Sequence, residues 1–167
     1  MLRFLAMAVI LSLTACGFKP LYQDNLDATA TKTFAKNFDS VWIENVGGNS
    51  GYLLRNELVD RFYSRGTPET ARYLLRLDLR EDFRNLDIAK DDTATRAQLV
   101  QRVRYTLIDR MADNKIIDEA TLRSASSYNL LPSVYTTVVT ETDARENALV
   151  NLAEQIETRV AYGLSRE

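Results

Sequence analysis

From Arg72 the chain alternates in character: Tyr73, Leu75, Leu77 and Leu79 are interleaved with Arg72, Arg76, Asp78 and Arg80. A period of two puts one set on each side of a pleated strand, so this stretch predicts a half-buried β-strand. A second strand is predicted from about Arg96 to Asp109. Its Leu99, Gln101, Val103, Tyr105 and Leu107 share one face, and Arg102, Arg104 and Thr106 the other. Asp, Asn and Ala between Asp109 and Lys115 supply a turn, and a third strand follows from about Ile117 to Tyr128. The three predict an antiparallel meander.

Helical spacing flanks the meander on both sides. Leu54, Leu58 and Phe62, with Val59 beside them, recur on one face, while Arg55, Glu57, Asp60 and Arg61 fall elsewhere. This predicts an amphipathic helix with Asn49 or Ser50 as N-cap and Gly66 and Pro68 closing it. Ahead of it, Val41 to Val46 reads as a short strand ended by Gly47-Gly48-Asn49-Ser50-Gly51. Behind the meander, Ala148, Leu149, Leu152, Ala153, Ile156 and Val160 mark a helix from Asp143 to Gly163, with Thr140 or Thr142 as cap. The order β-α-β-β-β-α predicts an α+β fold. In it a small, mainly antiparallel four-stranded sheet carries two helices on one face.

The composition narrows the chemistry. The 167 residues carry 21 Lys and Arg against 23 Asp and Glu, a formal charge of −2, with no His and one Cys. This length suits one domain, and near neutrality argues against a nucleic-acid partner. Without His there is no imidazole-based triad and no His-containing zinc site, and a lone Cys makes no intramolecular disulfide. The reading is of a non-enzyme with no catalytic residue, cofactor or metal.

The amino-terminal segment points to the cell envelope. Arg3 precedes an almost wholly apolar run from Phe4 to Leu13, the layout of a secretory signal and too short to span ~30 Å of hydrocarbon. Leu13-Thr14-Ala15-Cys16-Gly17 resembles the lipobox of bacterial lipoproteins. That resemblance implies cleavage after Ala15, a diacylglyceryl group on the Cys16 thiol and an acylated amine. More than one acyl chain gives stable anchoring, and Gly17 rather than Asp after the cysteine favours the outer membrane. The expected organisation is a signal peptide over 1–15, an acylated terminus and tether over 16–40, and the α+β domain over 41–165. Phe34 and Phe38 stand out in the tether as residues able to dock on the domain. Loss of Arg3 with the signal takes the charge from −2 to −3.

Cys16-Gly17-Phe18-Lys19-Pro20-Leu21-Tyr22, the order of elements, and the segments Ser133 to Thr137, Asp143 to Leu149 and Leu152 to Ile156 together resemble the lipopolysaccharide-assembly lipoprotein family, LptE. The resemblance covers essentially the whole chain. It implies an outer-membrane lipoprotein on the periplasmic side that sits within the LptD β-barrel, binds lipopolysaccharide and assists its delivery to the outer leaflet. At residue level only Cys16, as the acylated residue, carries over. The alternative is an envelope scaffold lipoprotein that binds a protein partner but no glycolipid.

The basic residues are mostly arginine, 16 of 21. On the strand faces assigned above, Arg76, Arg80, Arg102, Arg104 and Arg123 point away from the helices on one sheet face. Guanidinium forks suit phosphate and carboxylate, so this patch is the candidate site for the anionic head group of lipopolysaccharide. Asp78 and Asp82 partly neutralise it. Other clusters read as structure. The glycine-rich 47–51 stretch lacks the Lys of a P-loop. Asp109, Asp113 and Asp118 lack EF-hand spacing, and Asp91-Asp92 falls in a hairpin connection. Ser124, Ser126 and Ser127 have no Ser-x-x-Lys partner.

Overall fold

The computed structural model describes residues 38–63, 66–88, 94–130 and 133–166. The signal segment, Cys16 with the residues after it, Phe34 and the Asp91-Asp92 pair lie outside the described residues.

The elements are β1 (Val41–Ile43), α1 (Asn49–Phe62), β2 (Tyr73–Ile88), β3 (Ala94–Asp109), β4 (Lys115–Asn129) and α2 (Val134–Leu164). The sheet order is β1-β2-β3-β4. β1 runs parallel to β2, as a helical crossover between neighbouring strands requires, and β2, β3 and β4 form the antiparallel meander. The α+β fold in the predicted order is the observed one, and its sheet is mixed through the single parallel pair. At 16, 16 and 15 residues, β2, β3 and β4 each extend for about 50 Å.

The inner face of the sheet forms the core. Val41 and Ile43 of β1, Leu75 of β2, and Val103, Tyr105 and Leu107 of β3 are fully buried. They pack against Leu54, Leu58 and Phe62 of α1 and Leu149, Leu152, Ile156 and Val160 of α2. A smaller cluster of Ala97, Leu99, Tyr128 and Ala144 continues it toward the far end of the sheet. Both predicted helix stripes and the β3 inward face are therefore those that fill the interior. Phe38 is buried too, its ring 4.4 Å from that of Phe62.

Tyr63, just past α1, partners the outer side of β1. Glu44 N donates to Leu75 O, and Tyr73 N to Ser40 O, so Val41 and Ile43 turn their backbone groups away from β2. The Tyr63 hydroxyl donates to Val41 O at 2.9 Å and accepts from Ile43 N at 3.1 Å. One side chain thus closes the outer edge of the sheet along β1. The predicted strand through Val46 stops at Ile43, because the chain then folds back and Val46 packs under Gly51.

The predicted caps are displaced in both helices. α1 begins after Gly48, at φ +81°, a conformation natural only to glycine, so Asn49 and Ser50 lie inside the helix and no side chain caps it. α2 begins at Val134, with Ser133 before it, well ahead of the predicted start. Thr140 and Thr142 are interior. Their hydroxyls donate back to Thr137 O at 3.0 Å and Val138 O at 2.9 Å. The early turns escaped the periodicity because Val134, Tyr135, Val138 and Val139 are exposed, leaving no buried stripe before Ala144.

Candidate functional site

Across the outer face of the sheet, residues in register stand side by side on neighbouring strands about 4.8 Å apart. One such row is Arg80, Arg102 and Arg123, and the next is Asp78, Arg104 and Thr121. The meander therefore gathers Arg80, Arg102, Arg104 and Arg123 into one cationic field on the face away from the helices. Arg76 shares the face but stands opposite Thr106, and its Nε donates to Glu44 at 2.9 Å, which sets it apart from the others.

Carboxylates balance only part of this field. Arg80 pairs with Asp78 at 3.4 Å and Arg102 with Asp82. Arg104 and Arg123 carry no ion pair among the described residues. A shallow cleft of about 200 Å³ is lined by Asp78, Arg80, Arg102, Arg104 and Thr121, and a second of about 280 Å³ by Arg104, Glu119, Ala120 and Thr121. Three guanidinium groups abreast repel one another, and like charges directly opposite in a sheet cost stability. An arrangement of this kind suits an anion with more than one acidic group, which each fork can grip through two parallel hydrogen bonds.

Strand alternation adds Arg84, opposite Gln98, and Arg96, opposite Asn129, to the same face toward the distal end. The sequence pattern missed Arg84 because Phe83 and Leu86, both exposed, break the alternation there. Arg96 marked the predicted start of a strand and was given no face.

The polar groups between sheet and helices have partners of their own. Tyr105, Asp118 and Arg159 form one cluster: the Tyr105 hydroxyl donates to Asp118 and accepts from Arg159 Nε at 3.1 Å. Burial, together with the Asp118 carboxylate, pushes the Tyr105 hydroxyl up to about 12. Gln101 Nε2 donates to Glu81 at 2.6 Å, and Glu81 and Glu141 both flank Arg145. Asp109, fully buried, accepts from Arg72 Nε at 3.0 Å and from Met111 N at 2.9 Å, and the guanidinium holds its carboxyl below the usual range. The glycine-rich turn opens on a cleft of about 480 Å³ that Glu81 and Arg145 also line. With Arg145 held by two carboxylates, that cleft offers an anion little, in keeping with a plain strand-to-helix turn. Asp113 and Asn114, at φ +53° and +57°, make the β3–β4 hairpin turn.

Among the described residues no cluster of three His, Cys, Asp or Glu side chains is placed to hold a metal. Nor is any described helix long and apolar enough to cross a membrane.

The model of the family described as lipopolysaccharide-assembly, LptE, matches residues 38–160. The chain belongs to the LptE family. The match starts at Phe38, the first described residue and one buried in the core, and takes in the whole sheet with nearly all of α2. Membership of LptE places the chain among lipopolysaccharide-assembly proteins. Similar solved structures agree with the fold. A candidate lipoprotein from Caulobacter crescentus has a TM-score of 0.66 at 21% identity, covering 81% of this chain and 98% of that one. A minor lipoprotein from Acinetobacter baumannii has 0.60 at 21% identity, covering 75% and 92%. The rare lipoprotein B from Shewanella oneidensis has 0.57 at 13% identity, covering 74% and 92%. No curated protein sequence matches the chain at a significant level.

Proposed function

We infer that this LptE-family chain is a non-enzymatic outer-membrane lipoprotein that partners the LptD β-barrel and binds lipopolysaccharide through the arginine face. The observation that carries the reading is the Arg80, Arg102 and Arg123 row beside Arg104, given that the family is one of lipopolysaccharide assembly. Lipid A and the inner core carry phosphate and carboxylate. Arg104 and Arg123, which have no ion pair among the described residues, take the first of these groups, and Arg80 and Arg102 exchange Asp78 and Asp82 for the second. Charge-assisted pairs of this kind are roughly twice as strong as neutral hydrogen bonds.

The lipobox reading completes the mechanism. Residues 1–15 are removed, Cys16 is acylated and residues up to about 40 connect the anchor to the domain. The acyl chains then hold the domain at the periplasmic side of the outer membrane, within reach of the barrel.

Arg102→Glu with Arg104→Glu tests the arginine face. The expected result is a folded protein that no longer retains purified lipopolysaccharide but still co-purifies with a large outer-membrane barrel. Unchanged retention of lipopolysaccharide refutes the site. Absence of any barrel from detergent extracts refutes the partnership. A barrel partner with no lipopolysaccharide binding by the unaltered protein leaves a scaffold lipoprotein instead.

A further inference from the structure

β1 lies beside β2 only where Val41 to Ile43 stand against Tyr73 to Leu75, and the chain then leaves the sheet. From Arg76 to Asn85 the outer side of β2 has no strand beside it among the described residues, a vacant lane of about 33 Å. Alternate residues of such a strand turn their main-chain groups to opposite sides. Tyr73 N donates to Ser40 O and Leu75 O accepts from Glu44 N, whereas Arg72 O accepts from Arg110 N on the β3 side. By the same alternation Leu77, Leu79, Glu81 and Phe83 direct their N–H and C=O groups into the lane, while Asp78, Arg80 and Asp82 bond to β3.

Side-chain burial follows the lane. Leu75, beside β1, is fully buried, Leu77 is 7% exposed, Leu79 is half-buried and Phe83 is 52% exposed. Yet Phe83 faces inward, since its register partner Leu99 is fully buried. On β4, the other outer strand, the inward Tyr128 is buried. Phe83 is thus a core-facing aromatic left open beside the lane, with the Arg145 guanidinium 5.8 Å from its ring centroid. The cleft of about 480 Å³ between the glycine turn and Leu79, Glu81 and Arg145 adjoins it. A Cβ on Gly47 or Gly48 would meet nothing within 4 Å, so the cleft has room for an incoming side chain. On the outer face Asp78, Arg80, Asp82 and Arg84 alternate in sign. Together these features select an extended chain: apolar residues toward Leu79 and Phe83, and basic and acidic residues in turn against the outer face.

We propose that this lane takes an extended segment of the barrel protein, paired main chain to main chain with Leu77, Leu79, Glu81 and Phe83. The proposal rests on the barrel partnership inferred above and goes beyond it by naming where the chain is gripped and by what. A closed barrel wall has no unpaired strand edge, so the segment comes from a loop or terminus that reaches into the lumen.

Amide hydrogen exchange, read residue by residue, is compared between the isolated full-length chain and its complex with the barrel. In the isolated chain the amides of Asp78, Arg80 and Asp82, bonded to β3, are expected to exchange slowly and those of Leu79, Glu81 and Phe83 fast. In the complex the second set should slow by about 100-fold while the first barely changes. Phe83→Pro removes an N–H that faces the lane and leaves the bonds to β3 in place, as an edge strand tolerates. It is expected to keep the fold by circular dichroism and to lose most barrel retention. Should it fail to fold, Phe83→Lys keeps the main chain, sets a charge on the inward side of the edge, and is expected to show the same loss. Fast exchange of Leu79, Glu81 and Phe83 in the complex, or full barrel retention by the folded variant, overturns the lane and leaves the partnership standing. No barrel with the parent chain overturns both. Slow exchange of these amides in the dilute isolated chain assigns the lane to a segment of the chain itself, and slowing with chain concentration alone assigns it to a second copy; either overturns the proposal.

Discussion

Arg123→Thr separates what the arginine row does for function from what it does for stability. Arg123 lies directly opposite Arg102, which in turn lies opposite Arg80, and Arg123 has no ion pair among the described residues. Directly opposed side chains have Cβ atoms about 5 Å apart. Two unit charges at that distance repel by about 0.8 kcal/mol in a water-like dielectric, and splaying of the long side chains lowers the figure. Removing one member of the row should therefore stabilise the fold by about 0.2–1 kcal/mol at low ionic strength, since like charges opposite one another cost that much. Threonine is also a good strand former and adds no penalty. In 1 M salt, where the Debye length is about 3 Å, the gain should vanish. Urea denaturation at the two ionic strengths measures this, and lipopolysaccharide retention measured alongside should fall. A variant less stable than the parent at low salt, with binding intact, would refute the reasoning, because the row would then be structural.

Three further outcomes follow from the packing. Gly51→Ala gains about 1 kcal/mol of helix propensity. However, its Cβ would lie 2.7 Å from Val46 Cγ1 and 3.0 Å from the Val46 carbonyl carbon, an overpacking that costs about 1–3 kcal/mol. A net loss is expected in thermal melts, whereas Gly163→Ala, 3.3 Å from the tip of Leu107, should stay near neutral. Tyr63→Phe strands Val41 O and Ile43 N without their hydroxyl partner, which should cost about 1–3 kcal/mol by urea denaturation and loosen β1 first in hydrogen exchange. Asp109 has a lowered carboxyl value through Arg72, so it contributes stability above the ordinary carboxylate range that is lost as pH falls through the lower folded value. Arg72→Gln should shrink the difference in stability between pH 7 and pH 3, and an unchanged difference would remove Arg72 as the cause.

The sequence was most readable where one side of an element is wet and the other dry. β3 gave its inward face from Leu99 to Leu107, Gln101 included, because strict alternation leaves no other register, while Ala97 at the start of that face carries too little apolar surface to be noticed. Both helix stripes were visible for the same reason. The first turns of α2 were not, since their valines and Tyr135 face solvent and β-branched residues do not advertise a helix. The caps were misplaced because positive φ at Gly48, not a side-chain oxygen, sets where α1 begins. For the candidate site, alternation put five arginines on one face. Which of them meet depends on cross-strand register, and that is fixed by hairpin turns whose geometry the sequence leaves open.

The Tyr63 hydroxyl has a consequence for assembly. A sheet can grow by strand addition only where an edge presents unpaired backbone groups, and an open-ended filament needs two such edges on every copy. Here the β1 edge is occupied from within, while β4, the other terminal strand, pairs only with β3 among the described residues. Past Leu75 the outer side of β2 has no strand beside it among the described residues, so the Tyr63 closure governs only the end of the sheet that β1 covers. At that end a strand can add at β4 alone, and growth there is one-sided.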